Sequence, residues 1–479
     1  MFRRLRPLRL ALPLLATFPV SAAESPPSLE ERVRRLESLV AALQQENAAL
    51  RAAATPTPAT PPPAAAAPSA PRPASAPASA ASAPAQPAAA GSPVTLAPGP
   101  ASLRISGDVR ARLVGTWYPD PAGVARDQLL MRVRLGLLAS FEADFEAGVR
   151  LSAGDASQGF GGSPLSAQFS GGDNSSRKPA LFDLAFLRWR PLLATDTRAA
   201  FTVGKSANLF FTPSRILFDN DYNPEGFTAE TTLPVAAAHR LHLAAGLYLL
   251  DDLAASARDP GLAAARARWE AAWTPAWTSS VGVMWLGISH PDTLTAANIA
   301  NLQRGNTRTA AGVLVHGYRP LHTELTVTRT VAGAPAYPGP FPVTLRAEFL
   351  HNPAAPAARD GWVAGIAFGQ AGRAGRWSVA YQLMEIEADA WFEEMLDADN
   401  GAFYRRVPPG WNTDPASLAG GHGGGTGIRS HSVRTSWSPR DFLTLNANLH
   451  INNLLRPLAA NPGADGRARR LQFETLLRF

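Results

Sequence analysis

The sequence predicts an all-β fold: a transmembrane antiparallel β-barrel of about 16 strands, with 18 as the alternative, preceded by a short coiled-coil helix and a Pro/Ala-rich linker. Three observations predict it. From Ser102 to Phe479 apolar and polar side chains alternate, the period of a strand with one apolar face. After residue 23 no apolar stretch reaches the roughly 20 residues that a transmembrane helix needs, and mean hydropathy is −0.07. The chain also opens with an export leader, and an exported chain that alternates in this way can span a bilayer only as a closed barrel.

The leader comprises residues 1–23. Arg3, Arg4, Arg6 and Arg9 precede the apolar run Leu10 to Ala16, and the small residues Ser21, Ala22 and Ala23 suit a signal peptidase. Formal net charge is +7, but four of these charges belong to the leader, which leaves +3 and argues against nucleic-acid binding. The absence of cysteine excludes lipid attachment, disulfides, thiol chemistry and Cys-type zinc sites.

Residues 24–51 form a candidate coiled coil. Ser28 and Glu31 have capping-box spacing, so a helix starts at Leu29. Leu29, Leu36, Leu43 and Leu50 recur every seventh residue, with Val33, Val40 and Asn47 between them, which makes a d/a seam. Arg32 with Glu37, and Glu46 with Arg51, have the spacing of interchain ion pairs. The alternative is a lone amphipathic helix lying against the barrel. Residues 52–100 are almost wholly Ala, Pro and Ser, with nothing to bury. In polyproline II form, at about 3.1 Å per residue, such a tether reaches on the order of 100 Å.

Residues 101–479 carry the barrel pattern. In the first strand Leu103, Ile105, Val109, Leu113 and Trp117 share one face, and Arg104, Asp108, Arg110 and Arg112 the other. The second sets Leu129, Val133, Leu135, Leu137 and Phe141 against Arg132 and Arg134. The third sets Phe145 and Val149 against Glu146 and Arg150, after the tight turn Glu142-Ala143-Asp144. Runs at Leu241–Leu250, Ala267–Trp273, Leu345–Phe349 and Leu443–Asn452 repeat the alternation. Trp117, Trp189, Trp269, Trp273, Trp277, Trp377 and Trp437 fall near strand ends, where an aromatic girdle would lie. The tally of strands comes out odd although a barrel of this type needs an even number, so either Ser279–Ile288 or Arg308–Val331 is misassigned. The final strand ends on Phe479, the C-terminal aromatic that the assembly machinery of bacterial outer-membrane barrels reads.

The polar parity is rich in arginine. Arg104, Arg110, Arg112, Arg132, Arg134, Arg150, Arg188 and Arg190 are the candidate pore-lining residues, with Asp108 and Glu146 as local acids. Lys205, Asp219, Asp221 and Glu225 are candidates for a loop that folds into the lumen and sets a transverse field against that wall. Alternatively the arginines satisfy one another and water, with the acidic loop outside. The segment Glu385 to Asp399 is expected to be a solvated acidic loop, with divalent-cation bridging to lipopolysaccharide as the sharper reading. Gly204-Lys205-Ser206 lacks the first glycine of a phosphate-binding loop, and His422-Gly423-Gly424-Gly425 has no nucleophile elbow to serve, so neither supports an enzyme. No cofactor or metal is expected.

Phe182-Asp183-Leu184-Ala185-Phe186-Leu187-Arg188-Trp189-Arg190-Pro191, then Phe201-Thr202-Val203-Gly204-Lys205, then Phe218 through Asn223-Pro224-Glu225-Gly226 resemble the central motifs of the bacterial "putative porin" outer-membrane family. That family is related in type to phosphate-selective porin O/P-like channels. Trp377-Ser378-Val379-Ala380-Tyr381 and Glu387-Ala388-Asp389 are similar to it as well. Lysine-rich strand ends of the family are mostly arginine here, and Leu184 stands where the family often has Gln. The resemblance implies an outer-membrane porin for passive diffusion of small hydrophilic solutes, with the N-terminal segment in the periplasm. It also favours a homotrimer, whereas the Val and Leu seam leans toward two strands. Partners implied are outer-membrane lipid and lipopolysaccharide, the assembly machinery and, through the tether, peptidoglycan. The rival readings are an anion- or sugar-selective channel using the arginine ladder, and a tether from outer membrane to cell wall with the barrel as anchor.

Overall fold

The computed structural model describes residues 99–479 apart from 120–124, 154–167, 171–176, 195–196, 255, 296–304, 310–311, 400–402, 406–420, 424 and 457–466. The leader, coiled coil and most of the linker therefore lie outside the described residues.

Sixteen antiparallel strands run round a closed circuit. They are β1 (Ser102–Trp117), β2 (Arg126–Ser140), β3 (Phe145–Ala153), β4 (Ala180–Trp189), β5 (Thr197–Lys205), β6 (Glu225–Ala236), β7 (His239–Leu249) and β8 (Gly261–Thr274), then β9 (Trp277–Ser289), β10 (Leu321–Val331), β11 (Phe341–His351), β12 (Asp360–Gly369), β13 (Trp377–Ile386), β14 (Ile428–Arg440), β15 (Leu443–Leu454) and β16 (Arg467–Arg478). Phe169–Ser170 and Leu192–Ala194 attach to β2 and β5 without extending the circuit. The even number resolves the odd tally: Trp277–Ser289 is a strand, whereas Arg308–Val331 contains only β10, with the preceding residues in a connection. The short connections, such as 237–238 and 441–442, share one rim, and the long ones, such as 206–224, 290–320 and 387–427, the other.

Side chains alternate across each strand, and the outward set is apolar. Leu103, Ile105, Leu113, Leu135, Leu187, Val203, Leu247, Val283, Leu345 and Phe473 are all large hydrophobics left exposed, an arrangement that water would penalise and hydrocarbon favours. Phe145, Trp189, Phe201 and Phe227 stack in sequence across four strands of the outward face with ring centroids 5.8–6.4 Å apart.

Closure joins β1 to β16 in register from Asp108↔Arg478 to Trp117↔Arg469. Phe479 extends the ladder: its N–H donates to the Gly107 carbonyl at 3.1 Å, and its carbonyl accepts from the Gly107 N–H at 3.0 Å. The Phe479 ring lies over Gly107, where a Cβ would collide with both the ring and the Arg134 carbonyl. Glycine is required there because the ring fills the place of its missing side chain.

Inside the barrel the long connections build an apolar core. Phe210, Ile216, Leu217 and Phe218 from segment 206–224, Leu294, Leu314 and Tyr318 from 290–320, and Trp391, Phe392, Met395 and Leu396 from 387–427 pack together. Inward residues of the wall, including Leu262, Met284, Leu350, Val363 and Met384, complete the cluster.

Candidate functional site

The inward parity of β1 and β2 brings like charges together. Arg110 stands opposite Arg132 in the ladder, and Asp108 opposite Arg134. Such a pair is destabilising unless it is compensated. The Asp108 carboxylate accepts from Arg132 Nε at 2.9 Å and Arg134 Nε at 2.7 Å. On the other flank, Glu474 of β16 accepts from Arg112 Nε at 2.8 Å and Nη2 at 2.6 Å and lies 3.6 Å from Arg110. Arg110 also donates to Gln168 at 2.6 Å.

The remaining charge is met by acids carried in on loops. Asp221 reaches Arg132 at 3.2 Å and Arg134 at 3.5 Å. Asp399 reaches Arg112 at 2.5 Å and Arg470 of β16 at 3.7 Å, and Asp397 lies 3.7 Å from Arg434 of β14. Six guanidinium groups (Arg110, Arg112, Arg132, Arg134, Arg434, Arg470) thus face five carboxylates (Asp108, Glu474, Asp221, Asp397, Asp399), while Asp219 sits among the acids and accepts from the Asp221 and Ala398 N–H groups. The arginine ladder that the sequence places on one wall is thus largely compensated by acids in direct contact with it. Asp108 is legible from the parity of β1 and Asp221 from the loop after Lys205, but Glu474 lies more than three hundred residues away and Asp397 and Asp399 come from a distant loop, so strand parity alone does not pair them with these arginines.

Segment 206–224 crosses the lumen. At one end of the crossing, Ser214 donates its N–H at 2.5 Å and its hydroxyl at 3.0 Å to Glu348 on β11. His322 on β10 also contacts Glu348, at 3.2 Å, and Arg266 on β8 bridges the Phe211 carbonyl and Glu324. At the other end Asp221 meets β2, nine strands from β11 one way round and seven the other. The crossing is locked by residues 391–398. The Trp391 indole donates to the Leu217 carbonyl at 2.8 Å and its ring meets Phe218 edge-on at 5.5 Å, while the N–H groups of Asp219 and Asp397 donate to Met395 and Ile216. Segment 290–320 buttresses this in turn: Asn306 bonds Glu393 and the Ala388 and Trp391 carbonyls, Arg308 bonds Glu393 at 2.7 Å, and Tyr318 donates to Asp389 at 2.9 Å.

Crowded carboxylates divide their protons unequally here. Burial, with Asp397, Asp221 and Asp399 nearby, pushes Asp219 well above the usual carboxylate range, against the pull of the Ala398 N–H. Burial and Asp399 push Asp397 up to about 6, even with Arg434 close by. Asp399 is half-buried, and Arg112, Arg470 and Arg110 outweigh the cost of that burial and hold it below the usual range.

The predicted residues separate into three groups. Arg110, Arg112, Arg132, Arg134, Arg150 and Arg188 point inward, Asp221 meets Arg132 and Arg134, and Asp219 lies beside Asp221, accepting its backbone N–H at 2.8 Å. Arg150 is held by Asp183 at 2.5 Å, which Asn223 also engages at 2.7 Å. Asp183 faces inward because a β-bulge against Arg150 and Leu151 turns both Asp183 and Leu184 to the lumen. Arg104 and Arg190 lie exposed at the short-turn mouth, the latter 3.3 Å from Glu146. Lys205 and Glu225 must be corrected. They bond to each other at 2.6 Å on the outward parity of Val203 and Phe227, at the outer rim, and take no part in the crossing. The acidic segment is corrected as well: Asp389, Glu393, Glu394 and Asp397 are buried in the lumen instead of solvated. Trp391, Phe392, Met395 and Leu396 between them were the available signal, since a solvated loop has no use for four large apolar side chains in six residues.

Residues 122–285 match a protein family described as "putative porin". A search of curated protein sequences finds no match. Among solved structures, Pseudomonas putida OprB at high pH is 11% identical with a TM-score of 0.46, over 80% of this chain and 95% of that one. A triple mutant of the Rhodopseudomonas blastica porin is 8% identical with a TM-score of 0.39, over 79% of this chain and 100% of that one.

Proposed function

We propose that the protein is a bacterial outer-membrane channel for passive diffusion of small hydrophilic solutes, with an aperture set by segment 206–224 and the two segments that lock it. The observation that carries this reading is the anchored crossing of the lumen, inside a barrel whose outward face carries a band of exposed large hydrophobics. A solute would pass beside the largely compensated cluster, where fixed guanidinium and carboxylate groups orient water and dipoles without strongly excluding either ion sign. Single-channel recording of the purified protein in planar bilayers tests this. Stepwise conductance with weak ion selectivity is expected, and absence of conductance from correctly folded protein would overturn it.

The remainder of the proposal concerns the chain ends. Residues 1–23 direct export, residues 24–51 join protomers as a periplasmic coiled coil, and residues 52–100 tether that coil, with peptidoglycan within reach. A homotrimer is the assembly favoured by resemblance. Phe479 serves as part of the signal by which the barrel is assembled, supported by its ladder pairing with Gly107.

A further inference from the structure

Where the crossing segment is anchored, the lumen holds guanidinium groups that the acids of the β1–β2 cluster leave unmatched. Arg346 is the inward residue of β11 next to Glu348 on the short-turn side, and no hydrogen bond or ion pair among the described residues engages it. Glu348 itself is already engaged by Ser214 and His322. Arg215 follows the anchored Ser214 on the crossing segment. Its backbone is left-handed (φ 59°), and its exposed guanidinium lies over the Phe211 ring at 4.5 Å with no acid partner among the described residues. Arg434, inward on β14, has Asp397 at 3.7 Å. Arg215 lies within electrostatic reach of Arg346, and Arg346 within reach of Arg434.

The wall between these arginines carries almost no bulk. β12 and β13 separate β11 from β14, and the ladder register puts Gly365 beside Arg346, Ala367 beside Ala380, and Ala380 beside Arg434. With one hydrogen and two methyl groups facing the lumen there, the wall recedes. Gln382 pairs with Gly365 in the ladder and is buried, and its Nε2 has no hydrogen-bond partner among the described residues. A buried donor left unpaired is costly and rare in a folded protein. A carboxylate oxygen would satisfy it.

We infer that this recess binds a small organic dicarboxylate on its way through the channel. One carboxylate meets Arg346 and Arg215, the other meets Arg434, and the carbon chain between them lies over Gly365 and the Ala380 methyl group. Three strand spacings, roughly 14 Å, separate the backbones of β11 and β14, so the guanidinium groups approach a single solute from opposite ends. Arginine suits this role because its fork meets a carboxylate through two parallel N–H bonds. A compact tetrahedral anion suits it less, since it would reach one end only and leave the methyl floor unused. The inference rests on the channel reading and names a solute class for it.

The test uses the full-length protein in planar bilayers, with potassium chloride current recorded while succinate is added. Succinate should lower the current saturably, and Arg346→Gln and Arg434→Gln should each weaken that block at least about tenfold. Ala380→Leu keeps every charge but fills the recess, and it should also remove the block; heat-modifiable mobility checks that each variant folds. Fumarate, whose carboxylates point apart, should block more strongly than maleate, whose carboxylates point the same way. Current that succinate leaves unchanged, equal block by fumarate and maleate, or equal block by inorganic phosphate would each overturn the site while leaving the channel standing. So would undiminished block in both arginine variants, or an equal loss of block in Arg132→Gln, which would move the site to the β1–β2 wall. Absence of chloride current from folded wild-type protein would instead be failure of the channel reading, and the dicarboxylate site would fall with it.

Discussion

Asp221 and Arg134 share one ion pair, so two single substitutions can cut the same bond while changing the charge of the lumen in opposite directions. Asp221→Asn raises the charge of the cluster by one unit, and Arg134→Gln lowers it by one. For an ion passing about 5 Å away in water, a unit charge is worth about 0.8 kcal/mol, a roughly fourfold change in local concentration. At 10 mM salt, where screening extends over about 30 Å, the zero-current potential in a salt gradient should move toward anions for Asp221→Asn and toward cations for Arg134→Gln. At 1 M salt, where screening falls to about 3 Å, both shifts should vanish. Loosening of the crossing segment is common to both variants and would appear as a change in conductance at every salt concentration. Opposite signs at low salt therefore isolate the electrostatic effect. Shifts in the same direction, or none, would refute the placement of these groups on the permeation path.

Four further outcomes follow from the same geometry. Gly107→Val should sharply lower the yield of heat-modifiable folded barrel, because its side chain would occupy the place of the Phe479 ring; Phe479→Ala should lower it less. Trp391→Ala removes a buried ring and its bond to Leu217, at a cost of about 3–5 kcal/mol to loop docking, and should give larger, noisier single-channel currents. Asp219 and Asp397 have raised folded values, so their contribution to docking is full below the ordinary carboxylate range and is lost as pH rises through about 6 for Asp397. Protease cleavage within 387–427 should accordingly become faster above that pH, and Asp397→Asn should flatten the profile. Asp399, depressed by its arginines, contributes throughout that window and loses its part only in stronger acid. Deleting residues 25–51 should leave a conducting barrel with weaker oligomers on native gels, because so few heptads hold together only where protomers are already close. Loss of membrane insertion in that deletion would assign the segment to the barrel.

Strand order and facing could be read from alternation, because a period of two leaves each residue only two choices and the bilayer penalises the wrong one. Arg110 and Arg132 were placed inward by that logic alone. The same logic, carried from Val203 and Phe227, puts Lys205 and Glu225 outside; proximity to the Asp219 motif obscured it. The bulge at Asp183 and Leu184 breaks the period locally, and a polar residue beside an apolar one gives no sign of which of them is the extra residue. The lumenal core was least legible. Segments 206–224 and 387–427 mix Phe210, Leu217, Trp391 and Phe392 with acids, and their partners are each other, at separations that no local pattern encodes.

Ser214 is fastened to β11 and Asp221 to β2, so the segment between them acts as a tie-rod across the cross-section of the cylinder. A barrel wall of hydrogen-bonded strands can ovalise at little cost, since flattening shears no ladder. Widening along the β2–β11 diameter would pull these anchors apart, and narrowing it would compress the Phe218 and Trp391 contact. Lateral pressure from a thicker or more crowded bilayer is therefore borne inside the lumen as well as by the wall, and the opening keeps its size when the membrane around it changes.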